Sequence, residues 1–213
     1  IYDSDGKRIV RTQETNIGDF CTDALRHFTD ADIALVNGGG IRSDIMRGEI
    51  LFNDLYDVMP FGDMIATGTL SGQQLLDVLE YSVSALPAES GTFMQVSGLC
   101  FEVNPNIPSA VVKDIESGNF THIGDGDRRV SNVKVLEKQS GEYKAVELSH
   151  QYTIATLDYL ILEQGGSGIM NGVNPDYNYW GADIEILRHY LEYNLGKTIG
   201  SEYSKPQSRI IYK

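Results

Sequence analysis

Cysteine is scarce in this chain of 213 residues, and long apolar runs are missing. Two cysteines, Cys21 and Cys100, are too few for a disulfide framework or a cysteine-based metal site. Their apolar neighbours predict two buried free thiols. No apolar run reaches the roughly 18 residues that a membrane-spanning helix needs, so we expect no membrane span. The first residue is Ile1 and no signal-peptide pattern follows it, so we expect a fragment or a processed product.

Basic residues are also scarce. The chain has 17 Lys and Arg against 30 Asp and Glu, which gives a formal net charge of −13. A chain with this charge repels a phosphodiester backbone, so we expect no nucleic-acid partner. Any anionic ligand would have to be held by a local group of arginines that acts against the overall field.

The signatures of several catalytic centres are absent. The four histidines, His27, His122, His150 and His189, are scattered and form no His-x-x-x-His or Asp-x-His motif. The sequence contains no Gly-x-Ser-x-Gly elbow, and no Gly-Lys-Ser/Thr follows its glycine runs. We therefore expect no catalytic residue and no metal site in this chain.

Apolar periodicity predicts both helices and strands. Ile17–Phe28 has one apolar face with Asn16 as its N-cap, Ser71–Gln74 forms a capping box for a second helix, and Ile184–Leu195 predicts a late helix. Alternating or continuous apolar runs predict strands at 32–36, 64–69, 93–103, 130–136 and 152–157. Residues 104–127 are polar and rich in turn formers. The mixture indicates an α+β fold, with residues 1–213 as one domain.

A glycine loop follows the first predicted strand. In Asn37-Gly-Gly-Gly-Ile-Arg42 the three glycines remove side chains from the turn, and they permit close approach of the backbone to a ligand. Backbone amides, the Asn37 amide and the Arg42 guanidinium would together suit a phosphate. The alternative is an ordinary glycine-rich turn with a surface arginine.

Two aromatic residues come from other predicted loops. Phe61 is fixed between Pro60 and Gly62, and Tyr159 precedes a second glycine pair, Gly165-Gly166. Two rings presented in this way could sandwich a flat base, since stacking tolerates every base. The alternative for each ring is core packing.

Six short motifs in this order resemble the C-terminal domain of the 5′-nucleotidase family, which includes UDP-sugar hydrolases. The motifs are Arg11-Thr-Gln-Glu-Thr-Asn-Ile-Gly18, Asn37-Gly-Gly-Gly-Ile-Arg42, Pro60-Phe-Gly62, Gln95-Val-Ser-Gly98, Gly126-Asp-Arg128 and Gly165-Gly166. The resemblance implies a four-layer α/β/β/α nucleotide-binding domain. It also implies a separate N-terminal metallophosphoesterase domain that holds two divalent metal ions and whose motifs are absent here.

The resemblance implies a set of substrate-binding residues: Arg11, Asn37, Gly39, Gly40, Arg42, Phe61, Tyr159 and Ser167. Arg11, Asn37 and Arg42 would hold phosphate, and Phe61 and Tyr159 would stack on the base. Counting back from the glycine pair places Ile161 instead at the second stacking position. Ser167 stands where the family has a ribose-binding aspartate.

The family also implies a partner, a substrate class and a location. The partners would be a nucleotide or nucleoside and the N-terminal domain of the same protein, in an extracellular, periplasmic or cell-surface hydrolase. Other members imply cyclic nucleotides, nucleotide sugars, dinucleotides or a sulfur-bound substrate as alternatives. A stand-alone binding module without catalysis is a further alternative.

Overall fold

The computed structural model of the chain describes residues 1–161, 168, 170, 173–176 and 180–213. The helices are α1 (Asn16–Thr29), α2 (Phe52–Val58), α3 (Gly72–Ser82), α4 (Asp158–Ile161) and α5 (Asp183–His189), with 3-10 turns at Ile9–Arg11 and Ser201–Tyr203 and a π-helical stretch at Tyr190–Asn194. The strands are β1 (Ile33–Asn37), β2 (Ile65–Ser71), β3 (Met94–Ser97), β4 (Leu99–Val103), β5 (Val111–Lys113), β6 (Phe120–Ile123), β7 (Val130–Leu136), β8 (Tyr143–Ala145), β9 (Gln151–Leu157), β10 (Asn174–Asp176) and β11 (Ile210–Tyr212).

The strands form two sheets and a hairpin. The larger sheet has the order β10-β2-β9-β1-β3, and the smaller one has the order β11-β4-β7-β8. In the larger sheet only β1 and β9 pair in parallel, and the other described pairs are antiparallel. The predicted α+β class is confirmed, and two sheets with packed helices agree with the four-layer arrangement. The assignment of residues 1–213 to a single domain stays a prediction.

Helix α1 packs its apolar face on β1 and β3. Its N-cap is Thr15, whose Oγ1 accepts a hydrogen bond from the Gly18 amide at 3.1 Å. The predicted N-cap, Asn16, is wrong by one residue, because the Asn16 side chain donates to the Tyr203 carbonyl at 2.7 Å instead. Asn16 and Tyr203 are 187 residues apart in sequence, so this contact could not be predicted from the local pattern.

The second predicted helix start is confirmed. Ser71 Oγ accepts a hydrogen bond from the Gln74 amide at 3.2 Å, and Gln74 Oε1 accepts one from the Ser71 amide at 2.8 Å. This capping box begins α3 immediately after β2. The late helix begins as predicted, but its last turn is π-helical from Tyr190 onward.

The stretch 93–103, predicted as continuous strand, is divided between the two sheets. Gly98 has φ of +76°, and a Cβ at this position would come within 2.1 Å of the Asp32 carbonyl oxygen. Only glycine fits there, so the chain turns out of β3 and enters β4 of the other sheet. The region 104–127, predicted as turns, also contains the β5–β6 hairpin.

Both cysteines are free in the structure, with Cys21 buried and Cys100 half-buried. Burial raises the pKa of Cys100, so the neutral thiol is favoured. No helix in the described ranges combines the length and apolar character required to cross a membrane.

Candidate functional site

Four connecting segments meet at one edge of the larger sheet. Strands β1 and β9 run in parallel, so their carboxyl ends lie at the same edge, and β2 and β3 begin there because they are antiparallel to them. These segments enclose a cleft of about 400 Å³. We call it the glycine-loop cleft, and its lining residues are Asn37, Gly39, Gly40, Phe61, Asp63, Gly91, Thr92, Met94, Tyr159 and Leu160.

The amides of the glycine loop are already used by the protein. The Gly38 amide donates to the Phe93 carbonyl at 2.7 Å, the Gly39 amide to Gly91 at 3.0 Å and the Gly40 amide to Asn37 at 2.9 Å. The expectation that these N–H groups are open to an anion is therefore wrong. A phosphate would have to be held by side chains.

Close packing explains the first two glycines. A Cβ on Gly38 would come within 2.1 Å of the Val10 carbonyl oxygen, and one on Gly39 within 2.9 Å of the Gly91 carbonyl oxygen. Backbone approach of this kind excludes every side chain. The contact with Val10 brings the turn that carries Arg11 against the loop that leads to Arg42.

Asn37 lines the cleft and carries a buried acceptor atom. Its side-chain nitrogen donates to the Gly91 carbonyl at 3.0 Å, which fixes the orientation of the amide. Its Oδ1 atom is buried and has no hydrogen-bond partner among the described residues. A buried orphan acceptor is costly, and it suits a ligand N–H or O–H group better than a phosphate oxygen.

The two arginines predicted from the sequence are held beside segments that line the cleft. Arg42 is exposed, donates to the Gly39 carbonyl at 3.3 Å and lies 5.8 Å from the centroid of the Phe61 ring. Arg11 is half-buried, and its Nε atom has no partner in the described part of the chain. Its carbonyl accepts a hydrogen bond from the Ser90 amide at 3.2 Å, which ties it to the segment before Gly91.

A third arginine, Arg8, was missed from the sequence. It is buried, and one of its terminal nitrogens donates to the Ile41 carbonyl. Burial lowers the pKa of Arg8, and the charges of Arg11 and Arg42 lower it further, so three cations share this region. The available signal was its spacing of three residues from Arg11 across one 3-10 turn, which places the two side chains on one face.

The two predicted rings both line the cleft and neither is core. Phe61 is 62% exposed and Tyr159 is 38% exposed. Ile161, the alternative to Tyr159, is 8% exposed and packs in the hydrophobic core. Ser167 and the pair 165–166 lie outside the described residues.

Carboxylates gather near Tyr159. Asp158 Oδ1 accepts hydrogen bonds from the Met64 amide at 3.1 Å and the Tyr159 amide at 2.8 Å. Burial raises the pKa of Asp183 to about 6, and the nearby carboxylates of Asp63 and Asp158 also raise it. The site is therefore polarised, with guanidiniums beside the glycine loop and carboxylates near Tyr159.

Comparison with known proteins identifies this arrangement. Residues 2–172 match the family profile described as 5′-nucleotidase, C-terminal domain. The chain belongs to this family. The resemblance indicated by the six motifs is thereby confirmed.

Two curated relatives and one solved structure of the 5′-nucleotidase family show what share of their length this chain matches. The trifunctional nucleotide phosphoesterase protein YfkN of Bacillus subtilis (strain 168) is 30% identical over 212 residues, covering 97% of this chain and 13% of that protein. A 5′-nucleotidase of Vibrio cholerae is 27% identical over 209 residues, covering 97% of this chain and 32% of that protein. The structure of the 5′-nucleotidase precursor from Thermus thermophilus matches with a TM-score of 0.78 and 26% identity, covering 96% of this chain and 36% of that one. The chain thus spans between 13% and 36% of the length of these relatives.

Within the ranges that the structure describes, no group of three or more His, Cys, Asp or Glu side chains could hold a metal ion. The chemistry that the described cleft offers is recognition, by guanidinium groups, aromatic faces and hydrogen-bond acceptors.

Proposed function

We propose that this chain is the nucleotide-binding and specificity domain of a larger 5′-nucleotidase-type hydrolase, which releases phosphate from nucleotides. The observation that carries the proposal is the position of Phe61 and Tyr159. Both are exposed, both line the same cleft, and Phe61 lies under the guanidinium of Arg42. Exposed rings beside clustered cations are suited to a base joined to a phosphate.

Each residue has a defined role in this proposal. Arg8, Arg11 and Arg42 would hold the phosphate, since guanidinium forks match phosphate oxygens. Phe61 and Tyr159 would stack on the two faces of the base. Gly39 and Gly40 would form the bare wall of the cleft, and Ser167 as a ribose contact stays a prediction.

The catalytic step would take place in the larger protein. An N-terminal metallophosphoesterase domain would hold two divalent metal ions, which activate water for attack on phosphorus. The residues of this chain would bind the nucleotide and orient its phosphate toward that domain. We place the larger protein outside the cytoplasm, in the periplasm, at the cell surface or in the medium, as the family implies.

Calorimetric titration with AMP, adenosine and inorganic phosphate tests the role of the rings. Phe61→Ala should weaken AMP and adenosine binding roughly ten- to hundredfold, which corresponds to one stacked ring. It should leave phosphate binding unchanged, and Phe61→Tyr should restore most of the affinity. Tyr193→Ala is the matched control, because Tyr193 is 73% exposed and lies outside the cleft. Unchanged adenosine affinity in Phe61→Ala would refute the proposal.

A further inference from the structure

A groove of about 750 Å³ lies between the start of α1, residues 44–50 and residues 199–204. We call it the N-terminal groove. Its apolar lining residues are Ile17, Phe20, Ile45, Met46, Ile50 and Ile199. Ile17 and Phe20 are buried, whereas the Met46 side chain is 80% exposed. Polar residues such as Asn16, Ser201 and Ser204 also line the groove, and apolar surface rimmed by polar side chains is typical of an interaction site.

The backbone along one wall of the N-terminal groove is unused. In the part of the chain that the structure describes, no N–H group from residue 44 to residue 50 donates a hydrogen bond to another residue. These residues belong to no helix and no strand, and the next amide, that of Leu51, donates to Asp54 Oδ2 at 2.7 Å. Unpaired N–H groups beside an apolar groove allow a further segment of chain to pair with them.

The first residue of the chain lies at this groove. The amino group of Ile1 contacts the carboxylate of Asp44, and Asp44 lines the groove. Ile1 is buried, and its carbonyl accepts a hydrogen bond from the Ile9 amide at 2.9 Å, so its position is fixed. A residue joined to the Ile1 nitrogen therefore starts beside the wall formed by residues 44–50. The amide N–H that Ile1 would then carry can still donate to Asp44.

We propose that the segment preceding Ile1 in the larger protein lies in the N-terminal groove and pairs with residues 44–50. The proposal rests on the proposed function, because that function makes this chain one domain of a longer hydrolase. The matched relatives agree with a longer protein, since the chain spans only 13% to 36% of their length. The docked segment holds residues 44–50, and with them the neighbouring Arg42, in a fixed position relative to the preceding domain.

Hydrogen exchange on two forms of the protein tests the docking. One form is this chain, and the other adds about 15 residues that its gene encodes before Ile1, which can reach about 50 Å when extended. The amides of residues 44–50 should exchange freely in the shorter form and at least tenfold more slowly in the longer one. Equal exchange in the two forms would overturn the docking.

Adenosine titration of both forms distinguishes the docking from the proposed function. Retained adenosine binding without protection of residues 44–50 would overturn the docking alone. Absence of adenosine binding in both forms would overturn the proposed function, whatever the exchange shows. A gene that encodes no domain before Ile1 would overturn both proposals.

Met46→Asp assigns the protection to the N-terminal groove. Extension should raise the Tm of the wild type by roughly 4–8 °C through burial of apolar side chains, and Met46→Asp should remove most of this gain. In the shorter form Met46→Asp should change Tm by less than about 2 °C, because Met46 is exposed there. Leu148→Asp is the matched control, since Leu148 is 53% exposed and does not line the groove. A gain that survives in Met46→Asp would overturn the proposal.

A second copy of the chain is the competing occupant of the groove, and sedimentation velocity separates the two. We expect the shorter form to be a monomer whose sedimentation Met46→Asp leaves unchanged. A shorter form that dimerises, and that Met46→Asp returns to a monomer, would overturn the assignment of the groove to the preceding segment.

Discussion

Arg209 and the three arginines beside the cleft, Arg8, Arg11 and Arg42, differ in what surrounds them. Arg209 is buried and paired with Asp23 at 2.8 Å, and it lies 3.6 Å from Asp19. It also donates to the Val96 carbonyl at 2.7 Å and to Gln207 Oε1 at 2.8 Å. This guanidinium has its hydrogen bonds and counter-charges without any ligand, and it ties the end of the chain to α1.

Arg8, Arg11 and Arg42 have no such complement. In the described part of the chain none of them lies within ion-pair distance of a carboxylate, and two Nε atoms are buried without a partner. Burial lowers the pKa of Arg8, and the charges of Arg11 and Arg42 lower it further. The paired arginine therefore stabilises the fold, while the unpaired ones fit the phosphate-binding role that we propose for them.

The largest expected effect is a loss of stability when the paired arginine, Arg209, is replaced. Arg209→Met should lower the free energy of unfolding by about 3–5 kcal/mol, because it leaves buried carboxylates without their cation. Arg42→Met, the matched change on an exposed arginine, should alter it by less than about 0.5 kcal/mol. Urea denaturation measures both. Equal losses in the two variants would break the comparison.

The buried carboxylate of Asp183 should make the unfolding free energy depend on pH. Its pKa is raised to about 6 by burial, so the folded state favours the protonated form. The stabilisation is complete below the ordinary carboxyl pKa and is lost as the pH rises through the raised value. Between pH 4 and 7 the wild type should lose up to about 3 kcal/mol of unfolding free energy relative to Asp183→Asn.

The pH experiment has a matched control in Asp57→Asn, because Asp57 is exposed on α2. Its unfolding free energy, measured at the same pH values, is the reference for the Asp183→Asn curve. A constant difference for Asp183→Asn would show that Asp183 does not titrate in this window.

The unpaired arginines should have their effect on ligands. Arg42→Met should weaken inorganic phosphate and AMP binding by about 1.5–3 kcal/mol, the cost of one charge-assisted contact. Adenosine binding should change much less, because adenosine carries no phosphate. Calorimetry on the three ligands measures this pattern, and equal losses for adenosine and AMP would instead place Arg42 at the base.

The sequence predicted those parts of the fold and of the candidate site that depend on local chemistry. The cap at Ser71, the glycine loop and the exposed rings at Phe61 and Tyr159 each follow from a few neighbouring residues. The α+β class followed from periodicity spread over the whole chain.

The rest depends on contacts between distant segments. The glycine amides are consumed by Phe93 and Gly91, more than 50 residues away, and the importance of Arg8 follows from the contact between Gly38 and Val10. The division of strand 93–103 depends on the approach of Gly98 to Asp32. Alternation alone carries no information about which sheet a strand joins.

The cleft at the edge of the larger sheet has a thermodynamic consequence. Its walls come from four segments that are distant in sequence, so an unfolded chain has no partial version of the site. A ligand that binds only the assembled edge shifts the folding equilibrium by mass action, by about 2.7 kcal/mol at a hundred times its Kd. Nucleoside-dependent thermal stability is thus a direct measure of the intact sheet edge, and it reports on assembly and on binding in a single experiment.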